Sequence, residues 1–150
     1  MRSHYRGYLS EQISEFTANR FKQTIGLVMI AASAGLSVAL MTWSARDPSL
    51  NHATNTPVRN LLGAPGAIIA DVVMQLIGFG AIAAILPLAI QGMRLIRLRR
   101  GGRNFWNFGL WALGVMATAA TAALLPASDR WPLPTGLGGV VGDGLLALPR

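Results

Sequence analysis

The sequence predicts an all-α fold, a multi-pass transmembrane helical bundle with three full spans and an incomplete fourth. Three observations carry this. No charged residue lies between Lys22 and Arg46, between Asp71 and Arg94, or between Arg103 and Asp129. Each run is long enough for a helix of about twenty residues, which crosses a ~30 Å hydrocarbon core. Charged residues make up 13% of the 150-residue chain, against roughly 25% in soluble domains, and the mean hydropathy is +0.44. The basic residues are also unevenly shared between the segments that flank the runs.

Residues 1–23 form a polar, basic, cytoplasmic N-terminal segment, and residues 24–150 form the membrane domain. From Ser10 to Lys22 an amphipathic helix is expected, with Ser10 as its cap and Leu9, Ile13, Phe16 and Phe21 on one stripe. It reads either as a helix lying on the inner leaflet or as a frayed extension of the first span. The first span covers about residues 24–43. Its Ala, Gly and Ser residues suit close helix approach in lipid, and Ala31 with Gly35 makes a small-xxx-small pair. Trp43 sits where an interfacial aromatic belongs. The span is too long for a signal h-region of roughly 7–15 residues, and a cut after Ala45 would put Trp43 at the −3 position. It therefore reads as a retained anchor.

Residues 44–65 carry Asp-Pro, Thr-Pro and Ala-Pro steps, which disfavour helix in the preceding residue. A largely irregular loop is expected, with one helical turn around Val58–Leu62. A second span is expected over residues 66–90, opened by Pro65 and kinked at Pro87. Asp71 lies a turn or two inside it. An acid at that depth either serves an ion path or caps, pairs or meets water near the interface. Its place near a span end, without a second acid in the spans, favours the latter. Gln75, one turn on, is positioned to hydrogen-bond within the bundle.

Residues 91–104 crowd five arginines together: Arg94, Arg97, Arg99, Arg100 and Arg103. This loop reads as a positive-inside, lipid-facing segment in preference to a nucleic-acid site, since no aromatics interleave for base stacking. The third span, about 105–125, has Trp106 and Trp111 near its start and an Ala/Thr surface over 117–123. A short polar turn with Asp129, Arg130 and Trp131 follows. Residues 138–148 are apolar but too short to span, and Gly138 with Gly142 makes a second small-xxx-small pair. With the N-terminus inside, Arg2, Arg6, Arg20, Lys22 and the five loop arginines share one side, and Arg46, Arg59 and Arg130 the other. That imbalance sets the orientation and explains most of the net charge of +7.

No constellation for catalysis is found. The chain has no cysteine, which excludes disulfides, thiolate sites and cysteine lipidation. His4 and His52 fall on opposite sides of the predicted membrane and cannot share a metal. Residues 136–144 read GLGGVVGDG, but they lack a P-loop's Gly-Lys-Ser/Thr ending and break G-x-G-x-x-G at Val141. No metal and no cofactor is expected.

The loops carry a resemblance. Trp43-Ser44-Ala45-Arg46-Asp47-Pro48-Ser49 follows the first span. Asn60-Leu61-Leu62-Gly63-Ala64-Pro65-Gly66-Ala67-Ile68-Ile69-Ala70-Asp71 opens the second, and Gly138-Gly139-Val140-Val141-Gly142 follows the third. In order and spacing this resembles the N-terminal four-span membrane domain of the FtsK/SpoIIIE family of bacterial DNA translocases, over about residues 20–148. The resemblance marks Asp47, Pro48, Asn60, Gly63, Pro65, Gly66, Ala67, Asp71, Gly138, Gly139 and Gly142 as family-motif residues. It implies an inner-membrane domain that anchors and oligomerises the protein at the division septum, with divisome proteins and membrane lipids as partners. DNA would be reached only through a C-terminal ATPase motor. Leu62 departs from a glycine often found there. The 150 residues hold no Walker motif, linker or complete fourth span, so this polypeptide alone is not expected to be an enzyme, and as a whole product it would be a truncated or split form. Two competing readings are a small multi-pass transporter or channel component, and a stand-alone structural membrane protein that lost its motor.

Overall fold

The structure is a computed structural model and describes residues 2–50, 56–99, 105–128 and 131–147. The expectations placed on His52, Arg100, Arg103, Asp129 and Arg130, and on the side chains of His4, Leu9, Ser10 and Trp106, lie outside the described residues. Among these residues all regular structure is helical: α1 (Arg2–Met41), α2 (Gly63–Ile77), a 3₁₀ turn (Gly78–Gly80), α3 (Ala81–Ile96), α4 (Phe105–Ala123) and α5 (Gly139–Ala147).

α1 is one unbroken helix of 40 residues, about 60 Å at 1.5 Å per residue. The backbone of Ser10 is therefore inside the helix and not at its start. The basic segment extends the first span without a break, and Ile13, Phe16 and Phe21 are all exposed along it.

The expected second span is corrected. The apolar stretch Gly63–Ile96 is two helices, α2 and α3, divided at Gly78–Gly80 and not at Pro87, which lies inside α3. The division has a backbone cause. Gly78 takes φ 51°, ψ −130°, a region open to glycine and costly for any other residue. A Cβ at Gly78 would also run into the Leu137 carbonyl, and the next residue's N–H, that of Phe79, donates to that same oxygen at 3.0 Å.

Small residues set the packing. The buried apolar side chains are Ala39, Ala67, Ala70, Met74, Ala81, Ala119 and Ala122, as expected where packing must replace the hydrophobic effect. α1 and α3 pack antiparallel and touch at two glycines. A Cβ on Gly26 would come within 2.6 Å of the Gly92 carbonyl oxygen, and one on Gly92 within 2.7 Å of that of Gly26. The Ala31–Gly35 pair is not this contact: Ala31 is exposed, and a Cβ on Gly35 would reach only Leu62, at 3.9 Å. From the Gly26–Gly92 crossing the helices part around an apolar cleft of about 540 Å³ lined by Ile30, Ser33, Ser37, Ile82, Ile85 and their neighbours.

The crossing also fixes where α2 lies. Counted away from Gly26 and Gly92 in opposite chain directions, Gly78–Gly80 comes level with Val38–Leu40 of α1. The other end of α2 is at that level too, because Gly66 abuts Asn60 and Asn60 bonds to the Ala39 carbonyl. Gly66 and Gly78 are about 18 Å apart along a helix. α2 therefore runs across this end of the bundle, here the far end, and does not prolong α3. The near end holds Gln23, Ile96 and the arginines.

Pro87 has a consequence inside the bundle. It carries no N–H, so the carbonyl of Ala83, one turn earlier, loses its helical donor. The Trp111 indole Nε1–H on α4 donates to that oxygen at 3.3 Å. α4 is further held where a Cβ on Gly80 would meet Val115 O and Ala119 Cβ, both at 3.1 Å. α5 crosses α4 through Gly138 and Gly142, which face the Ala119 carbonyl and Ala123. Of three expected full spans, two stretches among the described residues have the length and apolar composition of a span, Glu11–Met41 and Gly63–Ile96, the second only with α2 and α3 taken together, while Asn107–Ala123 is apolar but shorter.

Candidate functional site

The family-motif residues named from sequence converge on the far end. α1 finishes there with its last carbonyls in need of partners. Thr42 N and Oγ1 both donate to Val38 O, and Trp43 N donates to Leu40 O. The Ala39 carbonyl receives the Asn60 Nδ2 amide at 2.8 Å, and Thr42 O receives the same nitrogen at 3.4 Å. Asn60, from the loop, is thus the C-cap of α1. Its Oδ1 accepts the Leu62 N–H at 3.1 Å and its carbonyl accepts the Gly63 N–H at 2.9 Å. One asparagine therefore closes one helix and shapes the turn into the next.

Asp47 holds Asn60 in place. Its Oδ1 accepts Arg59 N–H at 3.0 Å and its Oδ2 accepts Asn60 N–H at 2.9 Å. Both Asp47 and Asn60 are 4% exposed. Pro48 follows, half-buried. The expected helical turn around Val58–Leu62 is a hydrogen-bonded turn at 60–63, pinned by Leu61 N–H donating to Thr42 Oγ1 at 3.2 Å. Gly63, at φ +66°, opens α2, and Pro65 falls in its first turn, where a missing N–H costs little. Gly66 is buried so tightly that a Cβ would overlap Asn60 Oδ1 and Leu62 Cβ. Gly66, Ala67, Ala70, Asp71 and Met74 make the buried stripe of α2.

Asp71 is 7% exposed and partnered: Gln75 Nε2–H donates to Oδ2 at 2.7 Å, and the Trp43 indole N–H reaches Oδ1 at 3.4 Å. The Asp71–Gln75 contact is the i,i+4 spacing expected on one helix face. Trp43 stacks at a tilt on Trp131, with centroids 6.0 Å apart, and Trp131 on Phe79 at 6.0 Å. Trp131 is fixed by its indole N–H on Thr135 O at 2.8 Å.

Gly138, Gly139 and Gly142 complete the cap. A Cβ on Gly139 would lie 2.7 Å from Gln75 O and Leu76 C. The glycine-rich run is thus a packing surface that draws α5 onto α4 and α2. Sequence reasoning missed Asp143, whose Oδ2 accepts the Gly136 N–H at 2.9 Å. It also missed the Trp43–Asp71 bond, the Gly26–Gly92 crossing and the Trp111–Ala83 bond. The Pro87/Trp111 relation was in principle legible, since a proline in a span announces an unpartnered carbonyl.

The basic group lies elsewhere. Arg94, Arg97 and Arg99 are exposed at the near end. Among the described residues no cluster of His, Cys, Asp or Glu is arranged for a metal ion. Each buried carboxylate at the far end is already met by N–H donors, so the arrangement is built to hold helices together.

Residues 18–148 match the family model described as the 4TM region of DNA translocase FtsK/SpoIIIE. The chain is 46% identical over 143 residues to a DNA translocase FtsK of Bradyrhizobium diazoefficiens, covering 95% of the chain and 17% of that relative. It is 39% identical over 137 residues to that of Agrobacterium fabrum (91% and 15%) and 37% identical over 137 residues to that of Rhizobium meliloti (91% and 16%). The chain thus spans about a sixth of the length of these relatives. No solved structure matches it. The chain belongs to the family of the 4TM region of the FtsK/SpoIIIE DNA translocases.

Proposed function

We propose that this chain is the membrane anchor and septum-targeting domain of an FtsK-type DNA translocase in the bacterial inner membrane, serving cell division and chromosome segregation. One observation carries the reading. The motif residues Asp47, Asn60, Gly66 and Asp71 are spent on tying α1, the loop and α2 into one cap, which suits an anchor. A transport path would need an intramembrane acid free to bind its cargo, and the Asp71 oxygens are held by Gln75 and Trp43.

In this reading α1, α3 and α4 make the three crossings, α2 lies over the outer end, and α5 opens the fourth. α4, with 19 residues, rises about 28 Å, and α3, with 16, about 24 Å, against a hydrocarbon core of ~30 Å. The N-terminus and the arginine-rich near end face the cytoplasm under the positive-inside rule. Divisome proteins would meet the loop of residues 44–65, and the small-residue faces would serve packing within the bundle or between copies in a homo-oligomer. DNA would be engaged by the motor of the full-length translocase. The test is midcell localisation of this chain carrying an N-terminal fluorescent tag in dividing bacteria. A sharp septal band is expected, and a uniform membrane signal would contradict septum targeting by this region.

A further inference from the structure

The loop of the cap has an inward and an outward side. Asp47 and Asn60 are its buried members, and Asp47 Oδ2 accepts the Asn60 N–H at 2.9 Å. The chain neighbours of Asn60, Arg59 and Leu61, are both exposed, Leu61 by 75%. Arg46, the neighbour of Asp47, is exposed too. The two stretches run side by side, because the Thr56 hydroxyl donates to Arg46 O at 2.9 Å and Asp47 Oδ1 accepts the Arg59 N–H at 3.0 Å. Arg46, Arg59 and Leu61 therefore stand together on the outward side.

That side is cationic and has no acid of its own. From Thr42 to Ala70 the sequence holds two arginines and one acid, Asp47. Both Asp47 oxygens are turned inward on main-chain N–H groups. The loop is also fixed: its main chain is pinned at Arg46, Arg59, Asn60, Leu61 and Leu62 by side chains of the cap. A fixed main chain lowers the ordering cost of binding a protein, whereas a fluid layer of lipid headgroups adapts to a mobile loop equally well. A second copy of this chain is a poor match. Of its six acids, Glu11 and Glu15 lie on the near half of α1, Asp47 and Asp71 are buried, and Asp143 accepts the Gly136 N–H. Asp129 alone is left to face two arginines.

We propose that the outward side of the cap docks an acidic segment of another protein, with carboxylates on Arg46 and Arg59 and an apolar side chain on Leu61. Guanidinium presents paired N–H donors that match a carboxylate, and the exposed leucine between two chain turns supplies the apolar contact. The inference deepens the proposed function and rests on it, naming the chemistry of the protein that would meet this loop.

The test places a benzophenone amino acid at position 61 of the chain, carried with its N-terminal fluorescent tag in dividing bacteria. The cells are irradiated, and the peptide joined to position 61 is sequenced by mass spectrometry. The expected adduct is a protein segment in which acids outnumber bases. Its yield should fall about fivefold in Arg46→Gln/Arg59→Gln, return in part in Arg46→Lys/Arg59→Lys, and persist in Arg97→Gln/Arg99→Gln, which removes equal charge at the near end. The changes at 46 and 59 leave the cap intact, since it holds both arginines by main chain. An adduct with phospholipid, with a second copy of this chain or with a segment lacking excess acid would overturn the inference. So would the absence of any adduct, or an equal loss in the two glutamine variants. A septal band together with any of these outcomes removes the acidic partner and leaves septum targeting standing. A uniform membrane signal overturns septum targeting, and this inference with it.

Discussion

Replacing Trp111 by Phe should destabilise the bundle, and the cost should depend on whether residue 87 is proline. Pro87 leaves the Ala83 carbonyl without its helical donor, and the Trp111 indole N–H fills the vacancy at 3.3 Å. Interhelical hydrogen bonds in membrane proteins contribute on average about 0.6 kcal/mol and up to about 1.7, while stranding a buried carbonyl costs about 1–3 kcal/mol. The bond here is long, so Trp111→Phe should cost about 1–2 kcal/mol, part of it lost ring packing. In Pro87→Ala the new N–H of residue 87 donates to Ala83 O, and the carbonyl no longer depends on Trp111. The packing loss remains but the hydrogen-bond loss does not. A double-mutant cycle should therefore give a coupling of about 0.5–1.5 kcal/mol. Unfolding in mixtures of SDS and mild detergent, followed by circular dichroism, measures all four variants. A Trp111→Phe cost that is equal in both backgrounds, to within about 0.3 kcal/mol, would refute the reasoning.

The cap makes further demands. Asn60→Ala removes the donor to Ala39 O and the acceptor for Leu62 N–H, and should lower stability by about 2–3 kcal/mol in the same unfolding assay. Gly66→Leu places a side chain where Asn60 and Leu62 already stand, so in dividing cells it should reduce both the amount of folded protein and its septal signal. Wild-type behaviour would remove Gly66 from the cap. Gly78→Ala must adopt φ 51° with its Cβ against the Leu137 carbonyl; a loss of more than about 1 kcal/mol is expected, and an unchanged midpoint would contradict the break between α2 and α3. Asp71→Leu removes the oxygens that accept from Gln75 Nε2 and Trp43 Nε1 and should be worse than Asp71→Asn, which keeps a carbonyl oxygen for them; equal stability of the two would show that those bonds carry no weight.

The sequence was legible where chemistry is local and sparse. Charge-free runs mark the apolar helices, and Asp47, Asn60, Gly66 and Asp71 stand out because polar and glycine residues at the ends of apolar runs are few. The helix break was not legible, because Gly-Phe-Gly is unremarkable in a lipid-facing run. Its cause is a tertiary contact, the Leu137 carbonyl pressed against Gly78 from a loop about sixty residues away. Pro87, the louder signal, stays inside α3 because another helix supplies the missing donor. Gly26 and Gly92 were passed over for Ala31 and Gly35 for a similar reason: many small residues offer themselves in such spans, and only the pairing of helices selects among them. Asp143 escaped notice because one acid in a glycine run invites a phosphate-loop comparison, whereas it binds the N–H of Gly136.

The central claim is an anchor whose basic near end faces the cytoplasm and whose hydrogen-bonded cap faces outward. The chain contains no cysteine, so single cysteines can be introduced without background. Leu61→Cys, in the exposed turn of the cap, and Arg99→Cys, at the exposed end of α3, should be treated with a membrane-impermeant maleimide in intact spheroplasts and again after permeabilisation. The account predicts that Leu61→Cys is labelled in intact spheroplasts and Arg99→Cys only after permeabilisation. The reverse pattern, or labelling of both positions from outside, would contradict it.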